Sequence, residues 1–145
     1  MRAPALYRIA AVILLLFAAG HSFGFLQSDP QWGVGALLDP MRSIHFHVQG
    51  FNRSYWDFFA GFGWFVSVFL VFSAVLAWQL GGLRAESLAQ MRVVAWAFAI
   101  CFLTVTALAW SFFFAAPVIF SALISVCLAR AAVISGKPIP KPSEK

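Results

Sequence analysis

The sequence predicts an all-α membrane protein: a four-transmembrane-helix bundle with a partly helical outer loop between helices 1 and 2. Three observations predict it. The first is composition. Of 145 residues, 62% are apolar and 10% are charged, against about 45–50% and about 25% in soluble domains. That excludes a water-soluble globule and a disordered chain. The second is the presence of four runs close to the roughly 20 apolar residues that a helical crossing needs. The third is that the few charges are sorted between the ends of those runs.

The first run, about 5–26, is ALYRIAAVILLLFAAGHSFGFL. Arg2 and Arg8 ahead of its apolar core, with Ala18-Ala19-Gly20 behind, also fit a cleaved signal peptide. Continuation through Phe23 and Phe25 favours a retained span, and a measured N-terminal mass decides between the two. The second run is about 55–80. Trp56 and Trp78 bracket it about 33 Å apart at 1.5 Å per residue, as an aromatic belt does. The third and fourth are about 93–113 and 117–134, and no charge falls between Arg92 and Arg130, a distance that fits two spans and a tight turn. Trp110, Ser111 and Pro117 mark the turn between them, Pro117 suiting the first turn of a helix. These runs make one membrane domain, 1–136. The segment 137–145, basic and proline-rich, is expected to be disordered.

Orientation follows from the basic residues. With both termini cytoplasmic, that side holds Arg2, Arg8, Arg84, Arg92, Arg130, Lys137, Lys141 and Lys145, and the far side only Arg42 and Arg53. The positive-inside rule then predicts a multi-pass protein of a bacterial inner membrane with N- and C-termini cytoplasmic. The net charge of +5 is spent on orientation, so no nucleic-acid partner is expected; the expected partners are membrane lipids.

All three histidines and three of the five acids fall on the outer side, around the loop 27–54. Asp39-Pro40 reads as an N-cap and an N1 proline, which predicts a short helix over 41–49 ended by Gly50. Met41, Ile44 and Val48 then share one stripe. On that helix His45 and His47 point roughly 200° apart, whereas on an extended chain they share a face. HxH is therefore a weak metal signal, and no metal site is expected.

His21 stands between Gly20 and Gly24, a GxxxG pair that suits close helix packing or a homo-oligomer. It titrates near neutral pH and is a candidate proton carrier or ligand contact. Ser54-Tyr55-Trp56-Asp57 fits a capping box that opens the second span. Asp57, Gly61, Trp64 and Val68 share one helical stripe: an acid, a gap and an aromatic wall. Gly61 and Gly63 also read as packing notches. Arg53 is the natural partner of Asp57 or Asp39, and Arg42 of Asp39. The candidate ligand-binding set is thus His21, Arg53, Tyr55, Asp57, Gly61 and Trp64; the candidate catalytic residues are His21 and Asp57. Cys101 and Cys127 read as small apolar residues rather than a disulfide, and Thr104 and Thr106 as bonded to their own or a neighbouring helix.

The segment Arg53-Ser54-Tyr55-Trp56-Asp57-Phe58-Phe59-Ala60-Gly61-Phe62-Gly63, with Gly20–Gly24 before it and Trp78-Gln79-Leu80-Gly81 after it, resembles a family of small four-span bacterial inner-membrane proteins of unknown function. The resemblance implies four spans and retention of the first. It implies no activity, and His45-Phe46-His47 is not part of it.

Three functions compete at this stage. One is binding of a lipid-like or isoprenoid/quinone-type ligand at the outer face. The second is service as an accessory or structural subunit of a larger membrane complex. The third is a membrane enzyme using Asp57 and His21 as proton carriers. No cofactor is predicted; a quinone fits the first and third readings, and a haem finds no clear second axial ligand beside His21.

Overall fold

The computed structural model describes residues 2–135; the predicted disordered segment 137–145 lies outside the described residues. Four helices have the length and hydropathy to cross a membrane: α1 (Ala3–Gly24), α3 (Tyr55–Leu80), α5 (Arg92–Phe112) and α6 (Ala115–Ser135). Between α1 and α3 come a 3-10 turn (Pro30–Trp32), α2 (Gly35–Ser43) and a hairpin of β1 (His45–Val48) and β2 (Phe51–Ser54). A six-residue helix, α4 (Ala85–Gln90), joins α3 to α5. The chain is therefore an all-α, multi-pass, four-span membrane protein with a partly helical loop after its first span.

The third and fourth spans are separated only by Phe113 and Phe114. Phe113 turns extended and donates its N–H to Ala109 O. Trp110 and Ser111, expected in the turn, still lie in α5, and the Ser111 hydroxyl folds back onto Ala107 O at 3.0 Å.

The expected helix over 41–49 does not form. The helix sits earlier, at Gly35–Ser43, with Pro40 inside it rather than at its start. The chain then extends into β1, which pairs antiparallel with β2 in the register His45↔Ser54, Phe46↔Arg53, His47↔Asn52 and Val48↔Phe51. Gln49 and Gly50 both take positive φ, at 49° and 85°, as a two-residue type I′ hairpin turn requires. The alternation in His-Phe-His-Val thus outweighs the three-point helical stripe. His45 and His47 share a face, the arrangement expected of an extended chain.

The contacts divide the chain into two compact units. The first gathers the described residues up to Phe17 and from Phe72 onward. Here the start of α1, the end of α3, α4, α5 and α6 bury small and branched side chains, among them Ala10, Leu14, Ala77, Ala99, Ile124 and Leu128. Association of helices in lipid gains nothing from excluding water, so close approach over small residues carries the packing. Phe17 stacks on Phe120 with ring centroids 5.2 Å apart, and Thr106 and Ser125 link α5 to α6 at 3.1 Å. Both hydroxyls also reach carbonyls of their own helices, Phe102 O and Ser121 O. Cys101 and Cys127 are free thiols.

The second unit is Ala18–Val71. It holds the end of α1, the loop and the first two-thirds of α3, and it contains every residue singled out above as a candidate for ligand binding.

Candidate functional site

Helix α3 starts as the capping box predicts. Ser54 N–H donates to Asp57 Oδ2 at 2.8 Å, and Asp57 N–H donates to Ser54 Oγ at 3.3 Å. Two of the backbone donors left over at a helix start are satisfied reciprocally. Ser54 is only 2% exposed, which makes the pairing firm. The bond from Ser54 N–H falls on Oδ2, the Ser54 hydroxyl also acts on the carboxylate, and among the described residues no hydrogen bond reaches Oδ1 within 3.5 Å.

Asp57 and Arg53 stand at one end of an open groove of about 250 Å³ along α3, lined further by Phe58, Gly61, Phe62 and Phe65. Phe58 stacks flat on Phe46 of β1, 6.0 Å away and 3° from parallel, so the hairpin backs the groove wall. Gly61 meets nothing within 4 Å of where a Cβ would stand. It is an opening in the groove, not a packing notch.

Arg53 is not bonded to Asp57 or Asp39. Its Nη1 donates to Asn52 O at 2.9 Å and its guanidinium lies 5.1 Å from the Phe51 ring centre. Arg53 and His45 are nevertheless close enough to act on the Asp57 carboxylate electrostatically. Arg42 likewise turns away from Asp39, stacking 4.1 Å over Trp56; the Asp39 carbonyl accepts instead from Ser43.

The other candidates lie apart from this groove. Trp64 meets Phe25 edge-on at 5.2 Å. The Phe25 ring occupies the space where a Cβ on Gly63 would stand, so Gly63 is a packing notch, though for a ring rather than for a helix backbone. Phe25 stacks on His21 at 5.0 Å. His21 Nδ1 is 3.1 Å from Ser67 Oγ, and Ser22 donates to the same oxygen at 2.9 Å. Tyr55 is exposed and tilts against Phe46 at 5.2 Å. Arg53, Asp57 and Gly61 are thus brought together. His21, Tyr55 and Trp64 are held in other settings, and no hydrogen bond links His21 to Asp57 among the described residues.

A Cβ on Gly20 or Gly24 would meet nothing within 4 Å, so among the described residues the GxxxG pair makes no close helix contact. The His45 Nδ1–H donates to Ser43 O at 2.9 Å. Among the described residues, no group of three or more His, Cys, Asp or Glu gathers to hold a metal.

Two features escaped the sequence reading. Ser67, one of two serines in α3, is the partner of His21; its polarity inside an apolar run is the available signal. A second hollow of about 280 Å³ lies under α2, lined by Trp32, Leu37, Met41, Trp56 and Phe59 among others. It depends on where the loop folds back, which no local pattern reveals. No protein-family model, no curated protein and no solved structure matches the chain.

Proposed function

We propose that this protein binds a lipid-like or isoprenoid/quinone-type ligand in the groove on α3, at the outer face of a bacterial inner membrane, with both termini cytoplasmic. The observation that carries the reading is the groove's polarity. Charged groups stand at one end and apolar rings, Phe58, Phe62 and Phe65, continue along the helix from there. An amphipathic molecule has the same sequence of parts, and few polar groups in a mostly apolar cleft is the usual make-up of a small-molecule site. The eight-to-two sorting of basic residues supports the orientation, and the Arg53–Gly63 segment supports kinship with the small four-span bacterial proteins it resembles.

The test is native mass spectrometry of the full chain in mild detergent. A retained lipid-sized adduct is expected, and it should be lost in Gly61→Trp, which fills the groove where the fold leaves open space. No adduct on the unaltered protein overturns the reading.

One observation favours a second reading, an accessory subunit of a larger complex. Phe58, Phe62, Phe65 and Phe69 recur at spacings of four, three and four along α3, and all are exposed. That spacing is the seam of paired helices. Crosslinking in native membranes followed by sizing separates the readings: a partner trapped through α3 supports the subunit, and a crosslinked product of monomer size alone counts against it. The enzyme reading has less support, since His21 and Asp57 are each tied to different partners.

A further inference from the structure

The groove's charged end has a composition that narrows the class of ligand, and the narrowing rests on the binding reading above. Arg53 and Asp57 both line it. Opposite charges so close normally pair, because a carboxylate and a guanidinium bond in a fork geometry. Here each is held by a different neighbour. Arg53 gives one N–H to Asn52 O, and among the described residues its other donors make no hydrogen bond. Asp57 takes Ser54 N–H on Oδ2, and among the described residues no hydrogen bond reaches its Oδ1. The groove therefore presents one cationic donor and one anionic acceptor, separately anchored, above an apolar floor.

From this we infer that the ligand is a zwitterionic aminophospholipid, with its phosphate on Arg53, its primary ammonium on Asp57 Oδ1 and an acyl chain over Gly61 toward Phe65. The alternatives fit less well. A purely anionic head, such as a phosphoglycerol or a prenyl phosphate, would meet the Asp57 carboxylate. A neutral quinone ring would leave both charges unanswered at the edge of a membrane, where unmatched charge is costly. A quaternary ammonium has no N–H to give to Oδ1. Size agrees as well. At about 250 Å³ the groove is below the roughly 300–1,000 Å³ that encloses a whole drug-sized molecule. It accommodates a head group and the first part of one chain, and the rest of the lipid stays in the bilayer. From Asp57 to Phe65 the helix advances about 12 Å, enough for that first part.

The experiment offers the purified, delipidated full chain equal amounts of phosphatidylethanolamine, phosphatidylcholine and phosphatidylglycerol, with a quinone in a parallel sample, and reads adducts by native mass spectrometry. Phosphatidylethanolamine should exceed each of the others severalfold. Asp57→Asn, whose side-chain carbonyl still accepts from Ser54 N–H and so preserves the helix start, should abolish that preference while phospholipid is still retained. Arg53→Gln should lower retention of all three phospholipids together. Circular dichroism of each variant reports whether the helices are intact. Equal retention of the three heads, a preference for phosphatidylglycerol, a preference unmoved by Asp57→Asn, or retention of quinone in place of phospholipid overturns the inference and leaves ligand binding standing. Retention of none of the four overturns both.

Discussion

The two units of the chain solve opposite problems. In the unit that holds the start of α1, the end of α3 and the whole of α5 and α6, the interior is mostly alanine, serine and leucine around a few buried rings, Tyr7, Phe98 and Phe102, and helices come close. In Ala18–Val71 only four side chains are buried, Ala18, Ser54, Ser67 and Leu70. Rings do the work there: Phe25 against Trp64 and His21, Phe46 against Phe58. A helix contact over small residues is closed to anything else. A contact between rings leaves clefts, because flat groups with preferred edge-on and offset geometries do not fill space as evenly. The closed unit supplies stability and the open one supplies surface. Three glycines show the contrast in miniature. A Cβ on Gly81 would stand 3.0 Å from the backbone oxygen of Pro4; on Gly63 it would meet the Phe25 ring; on Gly61 it would meet nothing.

The contrast can be broken by substitution. Gly81→Ala should have the largest effect, destabilising by about 1–3 kcal/mol, because overpacking against backbone cannot be relieved by a rotamer change. A lowered melting temperature in detergent is the readout, and an unchanged one would mean that the first unit is not closed. Ser54→Ala should cost about 0.5–2 kcal/mol through loss of the cap on α3. Its signature is faster hydrogen exchange at the amides of residues 55–57, with exchange in α5 and α6 unaltered. Smallest is Gly61→Ala. With open space around it, the substitution should gain up to about 1 kcal/mol from helix propensity, seen as a raised melting temperature. A lowered one would show that Gly61 is packed and that the groove is not open.

Much of the fold was legible because crossing a bilayer imposes a length on an apolar run, and length survives in a sequence. The start of α3 was legible because a capping box is local, with all its partners within three residues. The hairpin forms where the local pattern predicts a helix. Met41, Ile44 and Val48 fit a helical stripe over a segment too short for periodicity to decide, and Gln49-Gly50 is a weaker turn signal than Asn-Gly. The site was legible in part. Of the stripe Asp57, Gly61, Trp64 and Val68, the first two line the groove. Trp64 belongs to that stripe by spacing, yet it engages Phe25, because Phe25, just past α1, sets its ring at Gly63. That is a contact across nearly forty residues of chain, and no helical wheel contains it. Proximity in sequence predicts carboxylate partners for Arg53 and Arg42, but their planar heads go to carbonyl and ring instead, as arginine's geometry permits.

Ser54 belongs to two structures at once: it is the last residue of β2, opposite His45, and the cap of α3. Sliding the hairpin by one residue would turn every side chain of β2 to the other face. It would also move a different residue opposite His45 and drag the capping serine out of line with Asp57. A strand pair of four residues each has little power to enforce its own alignment. Here a 26-residue helix checks that alignment, so the short hairpin inherits the fidelity of the long helix, and a misaligned fold announces itself as a frayed span.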